Sequence, residues 1–198
     1  MRQVIRQASR KIINTKITIF SLMFIFGHIG ITLGIFYLLS RLSSKNRFSA
    51  NIPWVAFGAL LPDFIDKPLG RIILAETIGS GRIFAHTLLF GLLLGLAGYY
   101  LYVQGKPELL IIAGASFCHI LEDQMWDNPG VFFWPLFGWG FPKDTISGSF
   151  IEYLMAIFNR SYAPGLTEVF ISEIIGLLII ILFTGKHIQD KRKEKSIA

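Results

Sequence analysis

The chain has 198 residues, enough for one domain, of which 53% are hydrophobic and only 16% are charged. A soluble domain carries about a quarter charged residues, and the mean hydropathy here is +0.55. Long uncharged runs alternate with short polar stretches, the pattern of a helical membrane protein whose spans need about 20 apolar residues each. The composition therefore excludes an ordinary soluble domain, and the single cysteine excludes an internal disulfide.

The net charge of +6 is concentrated at the two ends of the chain. Five basic residues lie within positions 1–16, and four more lie within positions 191–195. Basic ends on a hydrophobic chain are explained by anionic lipid headgroups and by the positive-inside rule. They lack the interleaved aromatic residues of nucleic-acid-binding segments. We therefore expect no nucleic-acid partner, and we expect both termini in the cytoplasm of a bacterial or archaeal cell, with an even number of crossings of the inner membrane.

The first element in chain order is a predicted basic amphipathic helix at residues 1–16, lying in the membrane interface. Apolar residues recur there at helical spacing beside a stripe of arginines, and no acidic residue is present. The apolar run at 17–40 is too long for a signal peptide and predicts the first span.

The remaining pattern predicts an all-α, polytopic membrane bundle with four to six membrane segments in a domain covering 17–185, followed by a basic cytoplasmic tail at 186–198. An apolar segment at 52–65 is short, so it is either a shallow or re-entrant helix or a span that begins earlier. Ser149 and Glu152 have capping-box spacing ahead of a short helix. If that helix and the 52–65 segment both cross or both fail to cross, the number of crossings stays even. The other predicted segments lie at 83–104, 107–126, 150–158 and 166–183.

Ionisable side chains inside membrane spans are costly and are functional candidates by default. In this sequence they lie within the first span, at the end of the second segment, at the start of the next helix and at the end of the one after. If the helices alternate in direction, these four positions meet at one membrane face. The residues concerned are His28, then Asp63 and Asp66, then Arg82 and His86, and finally His119, Glu122 and Asp123.

The spacing of these residues favours a metal site. His119 and Asp123 are four residues apart, so both project from one helix face, and Arg82 and His86 have the same spacing. Imidazole with carboxylate suits zinc, manganese or iron better than calcium. The structural alternative for His28 is a core histidine hydrogen-bonded to a backbone carbonyl.

The neighbouring polar residues also have structural interpretations. The two aspartates of the second segment fit helix capping or pairing with nearby basic residues. Glu122 is one residue off the His119 stripe and is expected to face elsewhere, and Cys118 is expected to be a small packing residue. The Gly-, Pro- and Trp-rich loop at 127–147 is expected to lie in the interface.

With these motifs the sequence resembles the YdjM-like family of inner-membrane metal-dependent hydrolases. The resemblance covers about residues 20–140 and implies metal ligation by five side chains, with one or two ions. It also implies a distant likeness to zinc-dependent phospholipase C and related nucleases, which hydrolyse phosphoesters. The implied ligands are His28, Asp63, His86, His119 and Asp123, with Asp66 as a further ligand or catalytic carboxylate. The motifs that carry the resemblance are His28 with Gly30, ALLPDFIDKP at 59–68, GRIFAHT at 81–87, HILED at 119–123 and WPLF at 134–137.

The leading hypothesis is therefore a membrane-bound hydrolase that cleaves a phosphoester of a lipid or lipid-linked substrate. Arg82 and Lys67 are expected to stabilise charge on the phosphoryl oxygens, with the Trp-rich loop as a lid. One alternative is a membrane scaffold or regulatory protein in which the polar cluster is structural. Another is an ion or metal transporter, which predicts ionisable groups across the whole bilayer.

Overall fold

A computed structural model describes residues 25–42, 51–143, 148–162 and 168–197. Within these ranges there are seven α-helices and no strands, which confirms the all-α prediction. The predicted interfacial helix at 1–16 and the beginning of the first span lie outside the described residues. The helices are α1 (Ile25–Leu42), α2 (Ile52–Pro68), α3 (Leu88–Val103), α4 (Glu108–Glu122), α5 (Pro129–Phe132), α6 (Phe150–Ser161) and α7 (Glu168–Ile197).

Among the residues that the structure describes, two helices are long and apolar enough to cross a membrane, judged by length and composition. They are α1 and the part of α7 from Val169 to Lys186. Large apolar side chains on α7 and α3 face outward, among them Leu178 on α7 and Leu96 on α3. An outward apolar surface of this extent suits hydrocarbon rather than water.

Helices α1 to α4 alternate in direction and pack through small residues. Helices α3 and α4 form a hairpin whose turn contains Gly105 at φ +85°. A Cβ on Gly98 of α3 would lie 2.8 Å from the Leu110 backbone of α4, and a Cβ on Gly58 of α2 would lie 2.6 Å from the carbonyl oxygen of Ile112. Such close backbone approaches are typical of helix packing in membranes.

Helices α1 and α7 run parallel to each other. Gly30 of α1 meets Gly176 of α7 backbone to backbone, and farther along both helices Tyr37 contacts Phe183 with ring centroids 5.2 Å apart. If both helices span the membrane, a chain that enters α1 at one face leaves α7 at the other. This arrangement does not favour the predicted even number of crossings with both termini in the cytoplasm, which stays a prediction because residues 1–24 lie outside the described residues.

Helices α2 and α6 differ in packing and in length. Helix α2 packs along α4 from Gly58 to Asp63, whereas α6 has 12 residues and is shorter than α2, α3 and α4, which have 15 to 17 residues. The capping box of Ser149 and Glu152 is confirmed, with both hydrogen bonds present.

A buried glutamate holds the beginning of α7 against α1. Glu173 accepts hydrogen bonds from the backbone N–H groups of Phe26 and Gly27, at 3.2 and 2.9 Å, and from the Tyr162 hydroxyl at 2.9 Å. The two amides belong to the first described turn of α1. This anchor fixes the height of α1, and hence of His28, relative to α7.

The predicted helix at 83–104 begins later than expected. Thr87 is its N-cap and accepts a hydrogen bond from the backbone N–H of Phe90 at 3.0 Å, so α3 starts at Leu88. Arg82 and His86 therefore lie in an irregular connection, and the prediction that they share a helix face is wrong. Helix α2, by contrast, includes both aspartates of its motif and continues into a π-helical turn at Leu69–Ile73.

Candidate metal centre

The predicted convergence of polar residues from four segments is confirmed. Two overlapping groups, His28–Asp63–His119 and His86–His119–Asp123, have ligand atoms within 4.8 Å of one another. The three histidines and Asp123 are at most 2% exposed, and the side chain of Asp63 is 14% exposed. All five predicted ligands therefore gather where α1 begins and where α2 and α4 end.

The orientation of each imidazole is fixed through its Nδ1 atom. His119 Nδ1 lies 2.7 Å from the carbonyl oxygen of Ala59, and His86 Nδ1 lies 2.7 Å from a carboxylate oxygen of Asp66. A carbonyl or carboxylate oxygen accepts hydrogen bonds, so the proton of each ring is assigned to Nδ1. The lone pair of each Nε2 then faces the centre of the cluster, as in metal-binding histidines.

His28 is held in the same way by a carboxylate of α4. Its Nδ1 lies 2.8 Å from Glu122, whose other oxygen accepts a hydrogen bond from Thr32 at 2.9 Å. His28 Nε2 and the Oδ1 atom of Asp123 are 3.4 Å apart, and both are buried atoms without a hydrogen-bond partner among the described residues. Buried polar atoms are rarely left unpaired, so this pair points to a binding site for a cation.

The distances among the other donors suit a bound ion. His86 Nε2 lies 3.2 Å from His119 Nε2, 3.6 Å from Asp123 Oδ2 and 3.7 Å from Asp63 Oδ1. His119 Nε2 lies 3.9 Å from the same Asp63 atom and 4.0 Å from the same Asp123 atom. A tetrahedral ion with ligands at about 2.0–2.2 Å separates them by about 3.3–3.6 Å. The four donors lie close to that spacing.

The donor set also indicates the type of ion and the number it can hold. Three imidazole nitrogens with two carboxylates suit zinc, manganese or iron. Asp123 presents Oδ1 toward His28 and Oδ2 toward His86, so one carboxylate oxygen faces each side of the cluster. The residues therefore fit one ion or two.

The charge balance of the cluster also favours a cation. Burial by itself would lower the pKa of the His86 imidazole, but the neighbouring carboxylates of Asp123 and Asp66 outweigh it and raise the pKa. The cluster thus attracts positive charge to the Nε2 side of His86. A metal ion there competes with the proton, because a ligating imidazole must be neutral.

Asp66 has a different environment from the predicted ligands. It is fully buried behind His86, and its oxygens accept hydrogen bonds from the backbone N–H groups of Ile83 and Ala85, at 2.7 and 2.9 Å, as well as from His86. Both oxygens are therefore engaged away from the cluster centre. Asp66 shapes the irregular connection that places His86, and it does not face the centre as the five ligand candidates do.

Two cations are paired with candidate ligands at the edge of the cluster. Arg82 Nε donates to Asp123 Oδ2 at 2.7 Å, and Lys67 Nζ donates to Asp63 Oδ2 at 2.6 Å. Burial by itself would raise the pKa of Asp123 and lower that of Arg82. Their mutual attraction outweighs burial and holds the pKa of Asp123 well below its usual range while raising that of Arg82. Asp123 is thus kept ionised, as a metal ligand must be.

Sequence reasoning missed Glu122, because the prediction that it faces away from the site was wrong. Helix α1 packs beside α4 at this level, so the flank of α4 next to His119 faces His28 instead of lipid. The spacing of His28 and Thr32, one helical turn apart, was the available signal for a shared partner. Cys118 packs against an apolar cluster with Leu33 and Ala115, which agrees with its predicted role.

The aromatic loop after α4 packs onto the connection that carries His86. The ring of Phe84 meets those of Trp134 and Phe141 edge to face, with centroids 5.4 and 5.0 Å apart. The loop and the connection are therefore linked by aromatic contacts beside the cluster.

A family model described as YdjM inner membrane protein matches residues 23–190. The chain belongs to the YdjM inner membrane protein family. No curated protein and no solved structure gave a match. The match covers every candidate ligand, so the candidate metal centre lies within the region that the family model matches.

Proposed function

We propose that this YdjM family protein is a membrane-bound, metal-dependent hydrolase that cleaves a phosphoester of a lipid or lipid-linked substrate. One observation carries the proposal: three buried imidazoles are anchored at Nδ1, and their Nε2 atoms face two aspartates and an arginine. A purely structural polar cluster has no need to leave His28 Nε2 and an oxygen of Asp123 without a hydrogen-bond partner within the described part of the chain.

A divalent ion held by these residues would supply a Lewis acid and lower the pKa of water toward neutrality. Asp63, His86, His119 and Asp123 would hold it, with His28 completing the set. The chain itself contributes the orientation of the ligands through carbonyl and carboxylate acceptors at each Nδ1. It also excludes water from most of the cluster, because the three histidines of the set are buried.

Arg82 and Lys67 would bind the phosphoryl group at the edge of the cluster. Their side chains are 20% and 16% exposed, so both reach the boundary between the buried centre and its surroundings. A guanidinium matches two phosphoryl oxygens at once, and an ammonium adds a point charge. We assign Arg82 to stabilise charge that develops on the phosphoryl oxygens.

The position of the cluster favours hydrolysis at the membrane surface over transport. Among the described residues the buried acids and histidines gather at one end of α1 to α4, whereas a transport path needs them along the whole span. With α1, α2, α3, α4 and α7 crossing, we propose five membrane segments in the inner membrane, with α6 and the aromatic loop lying on the face that carries the site.

Turnover of defined phosphoesters by the metal-loaded, detergent-solubilised protein tests this function. We expect hydrolysis of a phosphate ester by the zinc-, manganese- or iron-loaded chain and its loss in His86→Ala. Arg82→Gln is expected to lower kcat by about 10²- to 10³-fold with metal content unchanged, the usual effect of removing one charge-stabilising donor. The matched control is Lys106→Gln, an exposed cation in the turn at the opposite end of the bundle. Activity that persists in His86→Ala would contradict the proposal.

A further inference from the structure

An apolar groove of about 460 Å³ opens between α1, α3 and α4. Three glycines line it, and every other lining residue is apolar except one cysteine. A Cβ on Gly95 would meet nothing within 4 Å, so the missing side chain leaves real space. The residues that define the groove are Phe36 on α1, Gly91 and Gly95 on α3, and Leu110, Gly114 and Cys118 on α4.

The groove lies deeper in the bundle than the metal centre on each of the three helices. On α4 it extends from Cys118, the neighbour of His119, toward Leu110, about 12 Å farther from the site. On α1 its first residue is Phe36, two turns beyond His28, and on α3 it starts one turn after the helix begins. The groove therefore runs from the level of the metal centre into the apolar part of the bundle.

The dimensions of the groove select its occupant. Spread over about 12 Å, a volume of 460 Å³ gives a mean cross-section of about 40 Å². An α-helix with side chains is about 10–12 Å wide and needs about 80–110 Å². A helix from a second copy is too wide to enter the groove and would only lie across it, whereas a hydrocarbon chain fits inside.

The cations at the edge of the metal centre indicate which lipid headgroup would bind there. Arg82 and Lys67 lie at the edge of the metal centre, and phosphate is the lipid group that such cations recognise. We propose that the groove binds one acyl chain of a lipid phosphate whose headgroup lies at the metal centre. This inference rests on the proposed function and adds the place where one acyl chain of the substrate binds.

Photocrosslinking of the full-length, metal-loaded protein tests the groove without requiring turnover. The probe is phosphatidic acid with a diazirine midway along one acyl chain, compared with diacylglycerol carrying the same chain, and crosslinks are mapped by mass spectrometry. Gly95→Phe fills the groove, and the matched control Leu96→Phe adds the same ring to a side chain that is 67% exposed. We expect the phosphatidic acid probe to label the peptide of α4 from Leu110 to Cys118. Labelling should fall at least about tenfold in Gly95→Phe, equivalent to about 1.4 kcal/mol, and stay unchanged in Leu96→Phe.

Two results would overturn the inference. One is labelling of α4 that does not change in Gly95→Phe, and the other is equal labelling of the groove by diacylglycerol, which would make it a general lipid contact. Turnover of a water-soluble phosphoester separates this inference from the proposed function. Soluble turnover without groove labelling would contradict the groove alone. Phosphate-dependent labelling without any hydrolysis would contradict the hydrolase alone.

Discussion

Each imidazole of the cluster has an oxygen acceptor at Nδ1, and the three acceptors differ in kind. Ala59 provides a carbonyl oxygen, whereas Asp66 and Glu122 provide carboxylates. Carboxylates at these positions raise the basicity of the ligand as well as orienting it. Asp66 and Glu122 are therefore positioning residues, which explains two buried acids that do not face the centre.

Glu122→Gln is expected to weaken metal binding about 10- to 100-fold while the fold is retained, because the amide no longer provides the carboxylate charge at His28 Nδ1. Competition with a chelator of known affinity measures the effect. The control is Thr32→Val, which removes the other hydrogen bond of Glu122 but keeps its carboxylate charge. We expect this variant to bind the metal as tightly as the wild-type chain. Equal metal affinity in Glu122→Gln and the wild-type chain would contradict the role of Glu122 as a positioning carboxylate.

At the scale of helices, the crossing of α1 and α7 controls the height of His28. A Cβ on Gly30 would collide with the backbone of Gly176, whereas a Cβ on Gly34 would make ordinary contact with Ile179 at 3.6 Å. The two backbones can therefore touch because neither Gly30 nor Gly176 carries a side chain.

Gly30→Ala is expected to lower the stability of the protein by about 1–3 kcal/mol through overpacking, or roughly 2–12 °C in Tm. Gly34→Ala is the matched control and should leave Tm unchanged or slightly higher, because alanine favours the helix. Thermal unfolding in detergent measures both. Similar Tm values for the two variants would be incompatible with the close crossing.

The sequence was sufficient to predict the convergence of the ligands, because alternating helices bring His28, Asp63 and His119 to one end. It was not sufficient to predict where α3 starts. Apolar residues lie on both sides of Thr87, and the N-cap hydrogen bond of Thr87 sets the start of the helix at Leu88. The direction of α7 depends on tertiary contacts, including Glu173 with the first described turn of α1. The hydrophobic periodicity of the sequence does not predict such a contact.

On the scale of the whole molecule, α1 and α7 run parallel, so the basic residues at the two ends of the chain do not decide its orientation in the membrane. Five basic residues precede α1, and five more close the chain from Lys186 onward. With the five crossings proposed above, these two groups would lie on opposite faces, so the positive-inside rule would favour neither.

Reporter fusions at the two ends should therefore give opposite results. A fluorescent protein that folds only in the cytoplasm and a phosphatase that is active only outside it, each fused in turn to either terminus, measure this. The expected outcome is one cytoplasmic terminus and one external terminus, and the same fusions identify the face that carries the metal centre. Two cytoplasmic termini would contradict the five crossings that we propose.

The most direct test of the candidate metal centre is the metal content of the purified chain. Mass spectrometry of protein reconstituted with zinc, manganese or iron is predicted to give one or two equivalents per chain. The double variant His119→Ala/Asp123→Ala should lose them, and Glu108→Gln, at the exposed opposite end of α4, should retain them. No stoichiometric metal in the wild-type chain, or equal metal in the double variant, would contradict the metal centre and the hydrolase built on it.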